Sequence, residues 1–409
     1  MNKIREGYKV TELGEIPNEW SIMKLSEIAE INPRREVLED KDTVSFIAME
    51  DITNNGRVIN KTDKLYEEVK KGYTPFKDND VLLAKITPCF ENGKRALVGK
   101  LSNGIGFGST EFHVLRANKE SISKFLYYVI SSHRFMSKAE NNMTGSAGQK
   151  RVPTEFIKDY VLAVPTIKEQ EKIASILSTV DEQIDNVDAL IEKNKELKKV
   201  LMQTLLTKGI GHTKFKKTEI GEIPEEWDVK KLECVFEILD SMRKPIKASD
   251  REKIEGNIPY YGASGVIDWI NDYIFDEELI LLGEDGENLN SRNSDLAFKI
   301  SGKTWVNNHA HVFRVINKKE CNIDFMVYYL EAKDYSIYIA GSAQPKITQA
   351  QCRKFLLPLP EKQEQDKIAS ILLESDKKIE EYENKKQKLE ELKKGLMQEL
   401  LTGMIRVTV

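Results

Sequence analysis

Two stretches of the chain carry a seven-residue apolar repeat. From Glu169 to Leu206 there is no Gly or Pro, and apolar residues fall at Ile173, Leu177, Val180, Ile184, Val187 and Ile191. Steps of four and three alternate, which is the seam of a coiled coil. The phase then shifts and continues through Leu197, Leu201 and Leu205. A second stretch sets Ile368, Leu372, Ser375, Ile379, Tyr382, Leu389, Leu392, Leu396 and Leu400 on a comparable seam. Each reads as one helix of about 38 residues, about 57 Å long at 1.5 Å per residue. Neither stripe can stay solvated alone, so the two helices are expected to pair, antiparallel. Asn194 stands where the second copy has Leu389. A polar residue there sets register if it faces the partner helix, and is inert on an outer face. Gly209 and Gly403 are expected to end the helices. The basic segment Lys208–Lys217 that follows the first reads as a solvated linker.

Elsewhere the pattern is shorter. Val81–Lys85 and Leu279–Leu282 are continuous apolar runs, read as buried strands. Residues 111–115 and 310–315 read as alternating strands, and 124–131 and 324–331 as helices. The fold class is α/β: two globular α/β domains joined by two long helices that form an antiparallel coiled coil. The expected boundaries are 1–165 (first domain), 166–208 (first long helix), 209–360 (second domain with its linker) and 361–409 (second long helix and tail).

The chain repeats itself. Residues 11–20, TELGEIPNEW, recur as TEIGEIPEEW at 218–227, with eight of ten positions identical and an offset of 207. EQEKIASIL (169–177) recurs as EQDKIASIL (364–372) at an offset of 195. That second offset persists to LKKVLMQTLLT (197–207) and LKKGLMQELLT (392–402). Between these anchors, residues 80–116 and 276–316 share little beyond apolar positions. Neutral drift after a duplication would blur the anchors as well. Two equivalent mounts carrying two different recognition surfaces account for the pattern better. A duplicated unit also favours a closed pseudo-twofold arrangement, with the two domains at opposite ends of the helices.

Composition narrows the class. A chain of 409 residues exceeds one ordinary domain. No apolar run approaches the roughly 18 residues of a membrane span. Met1–Glu6 has no apolar core of a secretory signal. Cys89, Cys234, Cys321 and Cys352 lie far apart, which argues against a disulfide framework and points to the cytoplasm. Net charge is −4, yet residues 85–158 hold 12 basic against five acidic side chains and residues 291–358 hold ten against five. Such local positive charge is a footprint for phosphate.

The polar loops between the strands carry the candidate contacts. In the first domain these are Asn92, Lys94 and Arg95, then Ser109 and Thr110. In the second they are Gly286 and Asn288, then Asn307, Asn308 and His309. Arg and Lys suit guanine edges, and Asn suits adenine. The plain alternative is turn chemistry, where Gly and Asn supply positive φ. Gly145-Ser146-Ala147-Gly148-Gln149-Lys150-Arg151 recurs in altered form as Gly341-Ser342-Ala343-Gln344-Pro345-Lys346. Lys150, Arg151 and Lys346 there are candidate phosphate contacts, against a simple junction from domain to helix.

Catalytic signatures are missing. No P-loop spacing occurs, and Gly104-Ile105-Gly106-Phe107-Gly108 is not a dinucleotide fingerprint. Asn32-Pro33 runs into Arg34, not into the N-P-P-aromatic tetrad of an amino-methyltransferase. His309 and His311 share a strand face as conceivable metal ligands, but no third ligand is near in sequence, so no metal is expected.

With its doubled T-E-[LI]-G-E-I-P-x-E-W, its doubled E-Q-x-K-I-A-S-I-L and L-K-K-x-L-M-Q-x-L-L-T helix ends, and its G-S-A junctions, the whole chain resembles the specificity subunit of type I restriction–modification systems. Thr87–Lys94 and Trp305–Val312 look like target recognition domains of that family. The resemblance implies that each variable domain reads one half of an asymmetric, bipartite site on double-stranded DNA. It implies that the paired helices set the spacer and dock two methyltransferase subunits. Endonuclease/translocase subunits would complete the complex. S-adenosylmethionine, ATP and magnesium would come with those partners, and the chain itself would have no cofactor and catalyse nothing. A rod of about 57 Å exceeds one turn of B-DNA, about 34–36 Å, so domains at its ends reach separated half-sites. The competing readings are a coiled-coil scaffold without sequence-specific DNA binding and an enzyme with diverged motifs.

Overall fold

The computed structural model describes residues 4–146, 148–341 and 344–408; Met1, Asn2, Lys3, Ala147, Ser342, Ala343 and Val409, which include part of both G-S-A junctions, lie outside the described residues. The chain folds as two compact units, Met1–Val187 with Lys385–Val409, and Asp188–Asn384. The expected domains 1–165 and 209–360 lie whole within one unit each. The helical segments 166–208 and 361–409 are divided between the units.

In the first unit, one four-stranded antiparallel sheet runs in the order Ala29–Ile31, Phe112–Ala117, Val81–Ala84, Arg95–Leu97. A second runs Thr62–Leu65, Thr43–Ile47, Ile105–Gly108, Thr74–Lys77, with a parallel pair at its centre (Gly106 opposite Ser45). The second unit repeats this strand for strand. Its sheets run Phe236–Ile238, Ala310–Val315, Leu279–Gly283, Ala297–Ile300, and Gly265–Ile270, Glu255–Gly262, Lys303–Val306, Phe275–Asp276. Its parallel pair is again central, with Tyr260 opposite Trp305. Residues 80–116 and 276–316, nearly unrelated as sequence, therefore make the same strands in the same order.

Val81–Ala84 and Leu279–Gly283 are buried at every position, as their continuous apolar runs require. Phe112–Ala117 and Ala310–Val315 do not alternate as expected. Their first four residues are all buried, because each sheet is covered on both faces. Phe112 and Val114 face one core, and Leu115 faces another with Val81 and Leu83. This double burial encloses His113 and His311, 1 % and 0 % exposed.

The long helices span Ile167–Lys208 and Lys362–Thr402, 42 and 41 residues. In the first unit Ile173 and Leu177 share a core with Leu400, and Lys393 pairs with Asp181 at 2.6 Å. In the second unit Leu206 packs with Ile368 and Leu372, and Lys195 pairs with Glu383 at 2.9 Å. Rising numbers on one helix meet falling numbers on the other, so the pairing within each unit is antiparallel. The seam from Ile173 to Ile191 is buried throughout. Beyond it the expected seam is interrupted at Leu197 and Leu392, repeat equivalents that are 52 % and 50 % exposed, and resumes with Leu201, Leu205 and Leu396 half-buried and Leu400 buried. Asn194 sets no register, since its Nδ2 donates to the Leu190 carbonyl of its own helix.

The repeated anchors bond to each other. Trp20 and Trp227 are buried, and their Nε1 atoms donate to Glu169 Oε2 (3.1 Å) and Glu364 Oε2 (2.9 Å) at the helix starts. Gln170 and Gln365, the next residues, are fully buried and accept from the backbone of Ile122 and Asn322. A change on one side would orphan a buried polar group on the other. Gly209 and Gly403 end the helices at φ +65° and +73°, where a Cβ would strike Trp227 or Pro17. The segment after Gly209 is docked rather than solvated. Ile210 N and His212 Nε2 both contact Glu364 Oε1.

Candidate nucleic-acid interface

At one end of each antiparallel sheet three polar loops converge. In the first unit Lys85 N donates to Glu111 O (2.8 Å), Thr87 N to Lys150 O (3.0 Å) and Val152 N to Lys85 O (3.0 Å). In the second unit Glu284 N donates to His309 O (2.8 Å), Gly286 N to Pro345 O (3.1 Å) and Ile347 N to Glu284 O (2.9 Å). The same three backbone bonds form in both, so the loops around 85–95, 108–111 and 144–151 correspond to those around 284–288, 307–309 and 344–346. The structure thus gathers the candidate residues of each domain at one rim.

A buried histidine sits under each rim in opposite charge states. His113 Nε2 donates to the Val152 carbonyl (2.8 Å), and its Nδ1 faces the Asn32 amide at 3.4 Å. Burial, with no carboxylate in contact, pushes its pKa down to about 4, so the ring is neutral. His311 Nε2 likewise meets the Ile347 carbonyl (2.8 Å), but its Nδ1 meets Asp240 at 2.6 Å. Asp240 takes the place of Asn32: each accepts from the backbone N–H that follows its histidine, Val312 or Val114. Burial opposes the charge on His311, but the Asp240 carboxylate and the nearby Cys352 sulfur together outweigh it and hold the pKa up at about 10. Both ring nitrogens face acceptors, as an imidazolium requires. Where the first unit has Lys85, the second has Glu284. The neutral pair with an ammonium becomes a charged pair with a carboxylate.

Among the described residues, Asp240, Glu284 and His311 form a buried group that could hold a metal ion. They correct the earlier pairing, since His311 finds two carboxylates nearby and His309 is not among them. The donor set does not fit a cation. Arg243 bonds Glu284 Oε2 and approaches Asp240 at 3.5 Å, Lys346 Nζ bonds Glu284 Oε1 at 2.8 Å, and both His311 nitrogens are engaged. The carboxylates are already neutralised by three cationic side chains.

Several candidate side chains are tied up within the fold. Arg95 is half-buried, with Nε on Ser131 Oγ (2.6 Å) and Nη1 on the Gly93 carbonyl. Burial pulls its pKa down. Lys94 Nζ donates to the Met49 carbonyl. Ser109 Oγ accepts from Glu111 N. Arg151 is held by Glu111 through Nε and Nη2. Asn288 closes its own loop against Ser294, and Asn307, buried, accepts from His309 N. Lys346 is on Glu284. Gly286, at φ +97°, makes the turn that lets its N–H reach Pro345. The exposed candidates at the rims are Asn92, Thr110, Lys150 and Arg151 in the first unit, and Gly286, Asn308, His309 and Lys346 in the second; of these, Arg151 and Lys346 are held in ion pairs. The His309 ring sits on Asp285 by Nδ1 at 2.9 Å, leaving Nε2 directed elsewhere.

Sequence reasoning missed Lys85, Asp240 and Arg243, which organise the rims together with Glu111 and Glu284 of the candidate loops. Lys85 comes from a run read only as a buried strand, and Asp240 and Arg243 lie some 70 residues from His311 in the chain. Asn32 and Asp240 follow the repeated Trp by 12 and 13 residues, so the shift of one position hid their common role. The local positive charge is also partly spent: Arg116 is bidentate on Asp80, and Arg314 lies between Glu237 and Glu277.

Residues 17–198 and 224–391 match the type I restriction modification DNA specificity domain family. The specificity subunit of type I restriction enzyme EcoAI from Escherichia coli is 37 % identical over 52 % of this chain. The match spans only 36 % of that relative's length. The MjaVIII specificity subunit of Methanocaldococcus jannaschii is 32 % identical over 81 % of this chain and 80 % of its own. The S subunit of the type I restriction-modification system from M. genitalium has a similar fold, with a TM-score of 0.59 at 17 % identity over 99 % of both chains. Among the described residues no helix is long and apolar enough to cross a membrane.

Proposed function

We propose, for a chain that belongs to the type I restriction modification DNA specificity domain family, that it is a sequence-specific DNA-binding subunit in which each unit reads one half of an asymmetric two-part site. The observation that carries this reading is the pair of rims. Identical topology and backbone bonding present different side chains, which is what two readers of two different half-sites need. In this reading the chain supplies recognition only. Methyltransferase subunits bring S-adenosylmethionine, and endonuclease/translocase subunits bring ATP and magnesium, on cytoplasmic DNA. The paired helices set the spacer. The apolar residues they leave exposed, Leu197, Val200 and Leu392, fit the docking of the methyltransferase subunits, because apolar side chains standing on a solvated helix call for a partner. In the first unit a cavity of about 1030 Å³ lined by Leu162, Ala163, Met397 and Leu401 offers a further apolar surface.

The second reading, a coiled-coil scaffold that binds protein alone, is favoured by the rim cations already held in ion pairs. Selection from a randomised duplex library by the full chain with its methyltransferase partner separates the two. Recovery of a single two-part motif supports DNA specificity; recovery of no motif, with the protein complex intact, supports the scaffold.

A further inference from the structure

One carboxylate in each unit ties together three elements. In the first unit Tyr128, on the domain helix Ser123–Ser131, donates its phenol hydrogen to Asp181 Oδ2 at 2.7 Å. The other oxygen of Asp181 pairs with Lys393 Nζ at 2.6 Å. Asp181 stands on the first long helix and Lys393 on the second. In the second unit Tyr328, on Ile323–Ala332, donates to Asp376 Oδ2 at 2.5 Å, and Lys198 pairs with Asp376 Oδ1. The two long helices have exchanged roles, with Asp376 on the second and Lys198 on the first. Asp181 with Asp376, and Lys393 with Lys198, are related by the same 195-residue offset as the helix anchors. The tyrosines belong to the domains, not the helices, and still land on the equivalent carboxylate.

The chemistry is specific. A carboxylate has two oxygens and accepts both bonds at once, whereas an amide has one acceptor. Tyr128 and Tyr328 are 3 % and 7 % exposed. Burial first, and the Asp contact second, push both phenols well above their ordinary pKa. Lys198 also lies over the Tyr328 ring, 5.4 Å from its centre. Apolar side chains at this junction would bury their surface without desolvating charge. A polar triad adds direction instead, because it is satisfied only when the domain helix and both long helices meet at one angle and one level.

We propose that Tyr128–Asp181–Lys393 and Tyr328–Asp376–Lys198 are positioning clamps that fix the angle at which each recognition domain leaves its coiled coil, and that they thereby set the spacer length the protein accepts without touching a base. This rests on the DNA-specificity reading. Each unit has a further tether beside its clamp: in the first, Arg57 pairs with Asp185 one turn further along the same helix, and in the second, Asn322 Nδ2 at the start of the domain helix donates to Asp366 Oδ1 at 2.6 Å.

The test uses the full chain with its methyltransferase partner, and duplexes carrying the wild-type half-sites at the preferred spacer and at one base pair more or fewer. Tyr328→Phe keeps the ring and removes the phenol hydrogen bond; Asp376→Asn breaks the carboxylate; Lys198→Arg keeps the charge and the donors. Tyr328→Phe and Asp376→Asn are expected to lower the affinity ratio between preferred and shifted spacers by about fivefold, the scale of one lost hydrogen bond. The same variants are expected to leave base discrimination within each half-site unchanged. Lys198→Arg is expected to retain the wild-type ratio, and Tyr128→Phe to show a loss comparable to that of Tyr328→Phe. Folded Tyr328→Phe and Asp376→Asn proteins with the wild-type spacer ratio overturn the clamp, as does a loss of base discrimination in place of spacer discrimination. If Asp376→Asn does not fold, Tyr328→Phe alone decides. A wild-type complex that selects no two-part site sinks the DNA-specificity reading, and does so before any variant is compared.

Discussion

At the scale of residues, the two buried histidines make opposite demands on pH. The folded pKa of His113, about 4, lies below its ordinary value of 6.5, so the unfolded chain binds more protons between those values. The first unit therefore loses stability as pH falls from 6.5 towards 4. His311, with a folded pKa of about 10, contributes stability that is complete below pH 6.5 and is lost as pH rises towards 10. Imidazole titration by NMR, with thermal melts across this range, is expected to show His113 neutral and His311 charged at pH 7. The same state for both would refute the assignment. At the rims, Lys150 is exposed and has no ion-pair partner among the described residues. Lys150→Ala is expected to weaken binding to all sequences alike and to reduce the slope of log K against log salt by about 1. Asn308→Ala, by contrast, is expected to relax preference at one base position of one half-site, by about 1–3 kcal/mol of discrimination. Binding titrations at several salt concentrations, on wild-type and single-base-changed duplexes, distinguish a phosphate contact from a base contact.

At the scale of elements, the anchors of the repeat are retained because they are bonded partners. Trp20→Phe preserves most of the packing but leaves the buried Glu169 Oε2 with only the longer bond from Thr166 Oγ1 at 3.3 Å. It is expected to cost about 1–3 kcal/mol, read as a lowered melting midpoint in which Arg406, also on Glu169, gives partial compensation. The helices, their antiparallel pairing and the buried central strands were legible in the sequence, because heptad spacing and continuous apolar runs report burial directly. The equivalence of the two variable domains was legible as a shared layout but not as a shared strand order. Strands pair through backbone groups, so Thr43–Ile47 with Ile105–Gly108, and Glu255–Gly262 with Lys303–Val306, make the same central parallel pair with almost no shared side chains. The interruption of the seam at Leu197 and Leu392 was equally hidden, since an apolar residue in register looks the same whether its partner is in this chain or another. The rims were half legible. Gly and Asn marked the loops, but Lys94 and Arg95 read as free contacts only until the carbonyls and hydroxyl that hold them came into view.

At the scale of the whole molecule, the account separates mount from reader. Replacing residues 1–165 with another domain of the family is expected to change one half-site and leave the other alone. Change in both halves would contradict independent units. The most direct measurement is a genome-wide map of modified adenines in the source organism, with and without this gene. Loss on deletion of one asymmetric two-part motif, with every other modified motif intact, is the predicted result. An unchanged map in cells shown to express the protein, or the loss of a short undivided motif, would contradict the account.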